Sequence, residues 1–217
     1  MKQIVLGTTS PDKLREMQAL LADVDVQWLP LTCLGQPPAV EETGATFSEN
    51  ARLKALALAR WCGRPVLADD SGLEVDALDG APGVASRRFA GPEASDDDRN
   101  AKLLQALDGV PVERRGAQYV CALVLAFNGR VLIEVQGRLR GRIAEAPAGT
   151  AGFGYDPLFI PEGFDRAIGE LGEAVKHRIS HRARAAQAFK RRFVELGRRA
   201  DPPGGAGTGA PTSGQPH

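Results

Sequence analysis

The chain has 217 residues, of which 43% are hydrophobic and 25% charged, which is enough for one large globular domain. Its 27 basic and 27 acidic side chains cancel, so we expect neither nucleic acid nor a membrane as a partner. The 3 cysteines form no C-x-x-C pair, and no apolar stretch approaches the ~20 residues of a membrane span, so we expect a cytoplasmic protein without a disulfide framework.

The first predicted elements are a strand over residues 4–6 and a helix that begins at Pro11. Thr8, Thr9 and Ser10 form a hydroxyl-rich turn between them, and proline is favoured at the first position of a helix. The apolar residues of this helix recur at helical spacing, at Leu14, Met17, Leu20 and Leu21.

A second helix is predicted from the capping box that Thr46 and Glu49 match, and it ends at Gly63, since glycine is a common helix terminator. A buried strand follows at residues 65–68. A further, half-buried strand is indicated by the alternating residues Leu73, Val75 and Ala77.

Two more helices are predicted from their N-terminal residues. Ser95 precedes Asp96, Asp97 and Asp98, whose negative charge complements a helix dipole, so these acids need no catalytic explanation. Ser180 is expected to cap the last helix. The amphipathic pattern of that helix comprises Ala185, Ala188, Phe189 and Phe193.

A hairpin is predicted where Asn128 and Gly129 separate the apolar segments 117–127 and 130–139. Asn-Gly is the favoured pair for a tight turn between antiparallel strands. Since the strand-turn-helix at the start of the chain indicates an α/β arrangement, the sheet is expected to be mixed.

The turn from Thr8 to Ser10 is the first candidate binding site. Backbone N–H groups and the dipole at a helix start attract anions, and Lys13 adds a positive charge about one turn further along. A triphosphate would suit this position. The competing interpretation is an ordinary helix cap, because the segment matches neither a Walker loop nor a G-x-G-x-x-G motif.

Acidic and basic residues also surround the start of the second helix. Glu41 and Glu42 precede the capping box, while Asn50 and Lys54 are four residues apart and share one helix face. Acid, amide and amine side chains can therefore converge on one cleft. In the alternative interpretation, the acids complement the helix dipole and Lys54 is a solvated surface residue.

Two adjacent aspartates, Asp69 and Asp70, follow the strand at residues 65–68. Carboxylates at the carboxyl end of a strand lie where open α/β sheets bind ligands, and they bind Mg²⁺ together with phosphate oxygens and waters. The alternative is that the segment forms only a turn, although a turn gains nothing from adjacent like charges. In both interpretations, Ser71 and Gly72 turn the chain.

The glycine-rich segment 147–157 contains Phe153, Gly154, Tyr155 and Asp156. Glycines allow the backbone to approach a ligand closely, and either aromatic ring can stack on a base. The alternative is a flexible surface loop.

A cationic segment lies at and before the predicted start of the last helix and includes Lys176, His181 and Arg182. Positive charge there opposes the helix dipole, which indicates an anionic or acceptor-rich ligand. A cationic solvated face is the alternative interpretation.

Taken together, these segments resemble the inosine triphosphatase family, which includes the bacterial XTP/dITP diphosphatases. The resemblance extends from about residue 2 to residue 198. Five blocks agree in order and approximate spacing: "TTSPDKLRE", "EETGATFSENARLKA", "LADDSGLEVDALDGAPG", "PAGTAGFGYDPLF" and "KHRISHR".

The resemblance implies a two-lobed α/β fold with a long mixed sheet flanked by helices and an active-site cleft between the lobes, usually as a homodimer. Residues 1–199 would form this single domain, and residues 200–217 a disordered Pro/Gly-rich tail. The family hydrolyses non-canonical purine nucleoside triphosphates, such as dITP, ITP and XTP, to the monophosphate and pyrophosphate, and it requires Mg²⁺.

The resemblance also implies roles for individual residues. Asp70 would be the catalytic carboxylate that activates water and contacts the metal, with Glu42 or Glu41 as the other metal-side acid and Asp69 in support. The implied substrate-binding residues on the phosphate side are Thr8, Thr9, Ser10, Lys13, Asn50, Lys54 and Ser71. Those implied for the base pocket are Phe153, Gly154, Tyr155, Asp156, Lys176, His181 and Arg182.

Base selectivity follows from hydrogen bonding at position 6 of the purine. Hypoxanthine and xanthine carry an oxygen acceptor there, where adenine carries an amino donor. A donor such as Arg182 would therefore favour the first two. By the same resemblance, Phe153 corresponds to the family's residue that stacks on the base.

The chain departs from the family at Thr8-Thr9-Ser10, where Thr-Gly-Asn is usual. A glycine that can take positive φ has become β-branched, and an amide donor has become a hydroxyl. We expect the turn to bind phosphate through backbone N–H groups and the Ser10 hydroxyl, with weaker substrate binding.

Two other functions compete with this one. A nucleotide-binding sensor without turnover would be marked by a lost carboxylate, but Glu41, Glu42, Asp69 and Asp70 are all present. A Mg²⁺ phosphomonoesterase with an aspartate nucleophile would carry Asp-x-Asp after the first strand, where this chain has "LGTTSPD".

Overall fold

The computed structural model describes residues 3–200, with side chains described for residues 3–198. The strands are β1 Gln3–Leu6, β2 Gln27–Pro30, β3 Val66–Val75, β4 Gly116–Phe127, β5 Arg130–Ile143 and β6 Phe159–Pro161. The α-helices are α1 Pro11–Leu20, α2 Phe47–Cys62, α3 Asp96–Ala106, α4 Ile168–Leu171, α5 Glu173–Ile179 and α6 His181–Ala200. The predicted tail, residues 200–217, lies outside the described residues apart from the backbone of residue 200.

The described strands form one sheet in the order β2-β1-β3-β4-β5-β6. β2, β1 and β3 are parallel, whereas the pairs from β3 to β6 are antiparallel. α2 covers one face, and α1 and α6 cover the other. The predicted mixed α/β sheet flanked by helices is therefore confirmed. Across the described part of the chain, none of the helices has the length and apolar character needed to cross a membrane.

The sheet has a step because β1 ends before β3 does. β1 pairs with β3 only as far as Leu6 and Leu67, whereas β3 continues to pair with β4 up to Val75. The parts of β3, β4 and β5 that extend beyond β1 belong to a second lobe with its own apolar core. This core includes Leu73, Leu103, Leu139, Phe159 and Ile168. The step between the lobes is an open cleft, in agreement with the predicted two-lobed architecture.

The predicted turn at Ser71 and Gly72 is wrong, because β3 is continuous through this segment and pairs with β4 along its whole length. A Cβ atom at Gly72 would lie only 2.9 Å from the Phe47 ring. The glycine therefore permits close packing on the strand and does not reverse the chain. Ala77, which was predicted to extend the strand, belongs instead to a short 3-10 helix.

The continuity of β3 separates the two aspartates. Successive side chains of a strand point to opposite faces of its sheet. Leu67 belongs to the core beneath α1 and α6, and Ala68 belongs to the core beneath α2. Asp69 therefore faces α1 and α6, while Asp70 faces α2. Asp70 lines the cleft because β1 no longer covers this part of β3, whereas Asp69 is buried and does not line it.

The predicted helix starts are confirmed. Ser10, Thr46 and Ser95 cap α1, α2 and α3, and the last two form capping boxes. At the start of α6, the Ala183 N–H donates to Ser180 Oγ at 3.1 Å. Each of these caps satisfies backbone donors that a helix start leaves unpaired.

The hairpin is also confirmed, since Asn128 and Gly129 both have positive φ between β4 and β5. The short elements β2, β6, α4 and α5 were not predicted from the sequence. Lys176 lies within α5, so the cationic segment contains a separate helix instead of only the approach to α6. Elements this short depend on tertiary packing for their stability, which explains the weak local signal.

Candidate active site

A cavity of about 1020 Å³ lies at the step where β1 ends. It reaches both faces of the sheet, because its walls include Lys54 from α2 and Lys13 from α1. The predicted site residues in its walls are Thr8, Thr9, Ser10, Lys13, Glu42, Lys54, Asp70, Ser71, Phe153, Gly154, Tyr155, Asp156, Lys176, His181 and Arg182.

Glu41 and Asn50 do not line this cavity. Glu41 is exposed on the loop before α2, whereas its neighbour Glu42 is half-buried. Asn50 is fully buried, and its Oδ1 accepts a hydrogen bond from the Gly44 N–H at 2.7 Å. The amide therefore anchors the loop that carries Glu42 instead of facing a ligand.

On the α2 side, Lys54 is the centre of an acidic group. Its Nζ lies 2.9 Å from Glu42 Oε1 and 4.0 Å from Asp70 Oδ1, and it donates to the backbone oxygen of Asp69 at 2.9 Å. Asp70 Oδ1 accepts from the Ser71 N–H at 3.0 Å. The other oxygen, Oδ2, is buried and has no hydrogen-bond partner among the described residues.

Burial raises the pKa of Asp70 to about 6, against the opposing charge of Lys54 and with a further increase from Glu42. Burial alone lowers the pKa of Lys54, but the surrounding acids outweigh it and raise that pKa, so the ammonium group stays charged. The result is a carboxylate that can gain or lose a proton near neutral pH, beside a fixed positive charge.

On the opposite face, Asp69 is tightly paired. Its Oδ2 lies 2.8 Å from Lys13 Nζ and 3.8 Å from Arg182 Nη2, and it accepts from the Ser71 hydroxyl at 3.2 Å. Burial raises the pKa of Asp69, but Lys13 and Arg182 outweigh it and hold the pKa well below its usual range. Asp69 therefore stays ionised, and its neighbour Asp70 has the opposite pKa shift.

A buried chain of alternating charges continues from there. Arg182 pairs with Glu16 and donates to Ser71 Oγ at 3.0 Å. Lys176 Nζ lies 2.5 Å from Glu16 Oε1 and 2.7 Å from Asp156 Oδ2. Burial raises the pKa of Glu16, but Arg182 and Lys176 outweigh it and lower that pKa. The ion pairs thus hold both cations against the cavity wall.

Phe153 forms an aromatic wall at this end of the cavity. Its ring centroid lies 4.2 Å from Lys176 Nζ and 5.6 Å from Arg182 Cζ. Its N–H donates to Asp156 Oδ2 at 2.9 Å. A flat ligand can stack on such a ring, and the neighbouring cations can donate to acceptors of that ligand.

His181 lies at the same end of the cavity as Phe153, and its imidazole is neutral. Its ring stacks on Tyr119, with centroids 4.6 Å apart and an angle of 14° between the planes. Burial lowers the pKa of His181 well below its usual value, and Arg182 and Lys176 lower it further. Tyr155 is fixed nearby, since its hydroxyl donates to the Ser86 backbone oxygen at 2.9 Å.

The turn between β1 and α1 supplies the remaining wall. The Ser10 N–H donates to Thr8 Oγ1 at 3.2 Å, and Ser10 Oγ accepts from the Lys13 N–H at 3.5 Å. Thr9 does not have a positive φ. The β-branched residue in the place of the family's usual glycine is therefore accommodated without a left-handed backbone.

Several residues that build the site were not predicted from the sequence, among them Glu16, Tyr119 and Ser86. Glu16 lies next to Met17 on the buried face of α1, and an acid on such a face needs a cationic partner. Tyr119 and Ser86 lie in segments whose sequences carry no signal of a site. Only the fold brings Tyr119 to His181 and Ser86 to Tyr155.

Asp70 and Glu42 are the residues that fit a divalent cation. Within residues 3–198, no three His, Cys, Asp or Glu side chains converge as a complete metal cluster. Mg²⁺ usually takes one or two carboxylates, several waters and the phosphates of its substrate. The unpartnered Asp70 Oδ2 is an oxygen that such an ion would satisfy. The residues present therefore fit Mg²⁺ bound jointly with a phosphate ligand.

Comparison with known proteins supports the resemblance seen in the sequence. A family model described as the Ham1 family matches residues 4–192. The dITP/XTP pyrophosphatase of Geobacillus kaustophilus is 47% identical over 196 residues, which are 90% of this chain and 96% of that protein. The dITP/XTP pyrophosphatase of Yersinia pseudotuberculosis is 49% identical over 187 residues, with 85% and 94% covered.

The fold is also similar to a solved structure, that of a HAM1 protein from Coxiella burnetii. The TM-score is 0.82 at 41% identity, and the match covers 90% of this chain and 100% of the other. Sequence and fold agree over nearly the whole described chain, which confirms the resemblance. The chain belongs to the Ham1 family.

Proposed function

We propose that this protein hydrolyses non-canonical purine nucleoside triphosphates, such as dITP, XTP and ITP, to the monophosphate and pyrophosphate. Relatives that are 47% identical over 196 residues and 49% identical over 187 residues are named dITP/XTP pyrophosphatase. The cavity also has the two ends that such a substrate needs. One end holds carboxylates and lysines, and the other holds an aromatic ring with cationic donors.

The environment of Asp70 carries this proposal. Its Oδ2 is buried and has no partner within residues 3–198, and a pKa of about 6 leaves the carboxylate ionised at neutral pH while still able to accept a proton. Asp69 is unsuited to this role, because Lys13 and Arg182 hold its pKa so low that its carboxylate is a weak proton acceptor. The general base is therefore Asp70.

In the proposed reaction, Asp70 accepts a proton from the water that attacks the α-phosphorus. A bond forms between the water oxygen and phosphorus, while the bond to the bridging oxygen breaks and pyrophosphate leaves. Lys13 and Lys54 stabilise charge on the phosphate oxygens, which together with alignment is most of phosphoryl-transfer catalysis. The dipole at the N-terminus of α1 also favours an anion there, although Pro11 has no N–H and the Ser10 and Lys13 N–H groups donate within the turn.

Asp70 and Glu42 would hold Mg²⁺ together with the substrate. When bound, Mg²⁺ would neutralise charge on the phosphate oxygens. Lys54 contributes to the same site by keeping both carboxylates close to its ammonium group.

The base would stack on Phe153, with Lys176 and Arg182 as donors toward the oxygen at position 6. Adenine would bring an amino donor to the same cations, which leaves donors on both sides without an acceptor. The ion pairs to Glu16 and Asp156 orient these cations.

We further propose that residues 1–199 act as one domain followed by a separate tail at 200–217, and that the protein is a cytoplasmic homodimer. The family resemblance supports the dimer and the domain limits. The absence of a disulfide pattern in the sequence supports a reducing compartment.

A product assay tests the function. Purified protein is incubated with dITP, XTP, ITP, GTP and ATP, with and without Mg²⁺, and pyrophosphate and orthophosphate are measured separately. Pyrophosphate from the first three nucleotides, with Mg²⁺ only, is the expected result. Orthophosphate alone would contradict it, and nucleotide binding without turnover would favour a sensor.

A further inference from the structure

Two side chains of α3 bind the backbone of the loop that carries Phe153. The Gly154 N–H donates to Asp96 Oδ2 at 2.7 Å, and Asn100 Nδ2 donates to the Gly154 carbonyl oxygen at 3.0 Å. Both backbone polar groups of Gly154 are thus satisfied from one helix. Asn100 is buried and does not line the cavity, whereas Asp96 lies at the cavity wall.

These contacts exceed what a helix N-terminus requires. Asp98 closes the capping box with Ser95, and Asp97 is exposed. Asp96 is oriented differently, because its Oδ1 pairs with the largely buried Arg99 and its Oδ2 accepts from Gly154. Of the three acids that were attributed to the helix dipole, Asp96 therefore has a further role.

The bonds to Gly154 act on the aromatic wall. The Phe153 N–H is held by Asp156, so side-chain hydrogen bonds fix two consecutive residues of a segment that has no regular secondary structure. Gly154 has a φ of +67°, which favours glycine and leaves the loop little intrinsic stiffness. These bonds therefore hold the backbone on which the direction of the Phe153 ring depends.

We propose that Asp96 and Asn100 are positioning residues for the base site, which clamp the Gly154 backbone and thereby orient the Phe153 ring toward the purine. The inference rests on the proposed function, because it takes Phe153 as the stacking surface. A preorganised ring lowers the entropy lost on binding, so the clamp contributes to nucleotide affinity and leaves the chemistry at Asp70 unaffected.

Asn100→Ala is the sharpest test, since Asn100 does not line the cavity and cannot contact the nucleotide there. Loss of one buried hydrogen bond predicts a KM for dITP that is about 5-fold to 10-fold higher, with kcat unchanged. Asp96→Ala removes the other hydrogen bond to Gly154 and is also expected to raise the KM for dITP. Asp97→Asn, an exposed residue of the same helical turn, is the matched control and should leave both constants unchanged.

A double-mutant cycle separates positioning from general destabilisation. In a Phe153→Ala background, Asn100→Ala should raise KM no further, because the ring through which Asn100 affects binding of the base is absent. An additive effect would overturn the inference, as would an unchanged KM in Asn100→Ala alone while wild-type protein hydrolyses dITP. In both cases the proposed function stands.

Absence of dITP hydrolysis by the wild type would instead refute the proposed function. Hydrogen–deuterium exchange then tests the clamp independently. Faster exchange within residues 150–157 of Asn100→Ala supports it, and unchanged exchange overturns it.

Discussion

Asp70→Asn is expected to make the protein more stable and catalytically inactive. Burial holds the pKa of Asp70 at about 6, compared with 3.8 for an ordinary aspartate. Between these values the folded state binds more protons than the unfolded state, so the stabilisation is present at low pH and is lost as the pH rises. At neutral pH the ionised carboxylate destabilises the fold by about 3 kcal/mol, since one pKa unit corresponds to about 1.4 kcal/mol. Asparagine has no charge to bury.

The pH dependence makes the test specific. The gain in the free energy of unfolding should be about 3 kcal/mol at about pH 7.5 and roughly half of that at about pH 5. Urea unfolding of wild type and variant in EDTA, followed by circular dichroism, measures both values. The variant should bind dITP without turning it over, because the proton acceptor is missing while the lysines remain.

Asp69→Asn is the matched control, and its expected effect on the free energy of unfolding has the opposite sign. It removes a partner that lies 2.8 Å from Lys13 and leaves Arg182 with one carboxylate fewer. Breaking such a buried pair is expected to lower stability by roughly 3 kcal/mol. Equal destabilisation by both substitutions, or wild-type dITP turnover in Asp70→Asn, would refute this reasoning.

Three further predictions concern the cavity. First, dITP turnover should fall as the pH drops and Asp70 becomes protonated, with a midpoint at or below about 6 because a bound cation favours the ionised form; a flat rate between about pH 4.5 and 8 would exclude Asp70 as the base. Second, Glu42→Gln should raise the Mg²⁺ concentration needed for half-maximal activity, whereas the exposed Glu41→Gln should not, and equal effects would contradict the assignment. Third, Thr9→Gly combined with Ser10→Asn should lower the KM for dITP by about 5-fold through an added amide donor, and an unchanged KM would show that the turn already binds phosphate fully.

Much of the frame around the site was predictable from the sequence. The capping box of Thr46 and Glu49 lies within one helical turn, and the Asn128-Gly129 turn depends on the backbone preferences of two residues. Signals of this kind act between neighbours in the chain. The prediction of a turn at Ser71 was wrong because it relied on a local turn preference alone. Pairing of β3 with β4, a distant segment of the chain, outweighed that preference.

The sequence by itself determined the helix starts, the hairpin, the family and the segments that would meet at a cleft. Only the tertiary structure decided what individual carboxylates do. The ladder between β3 and β4 turns Asp69 toward Lys13 and Asp70 toward Lys54, which gives adjacent residues opposite pKa shifts. Glu16 likewise acquires its role only when α5 and α6 bring cations to it. The protonation and partners of a carboxylate depend on burial and on charges from distant segments, and neither is contained in a local pattern.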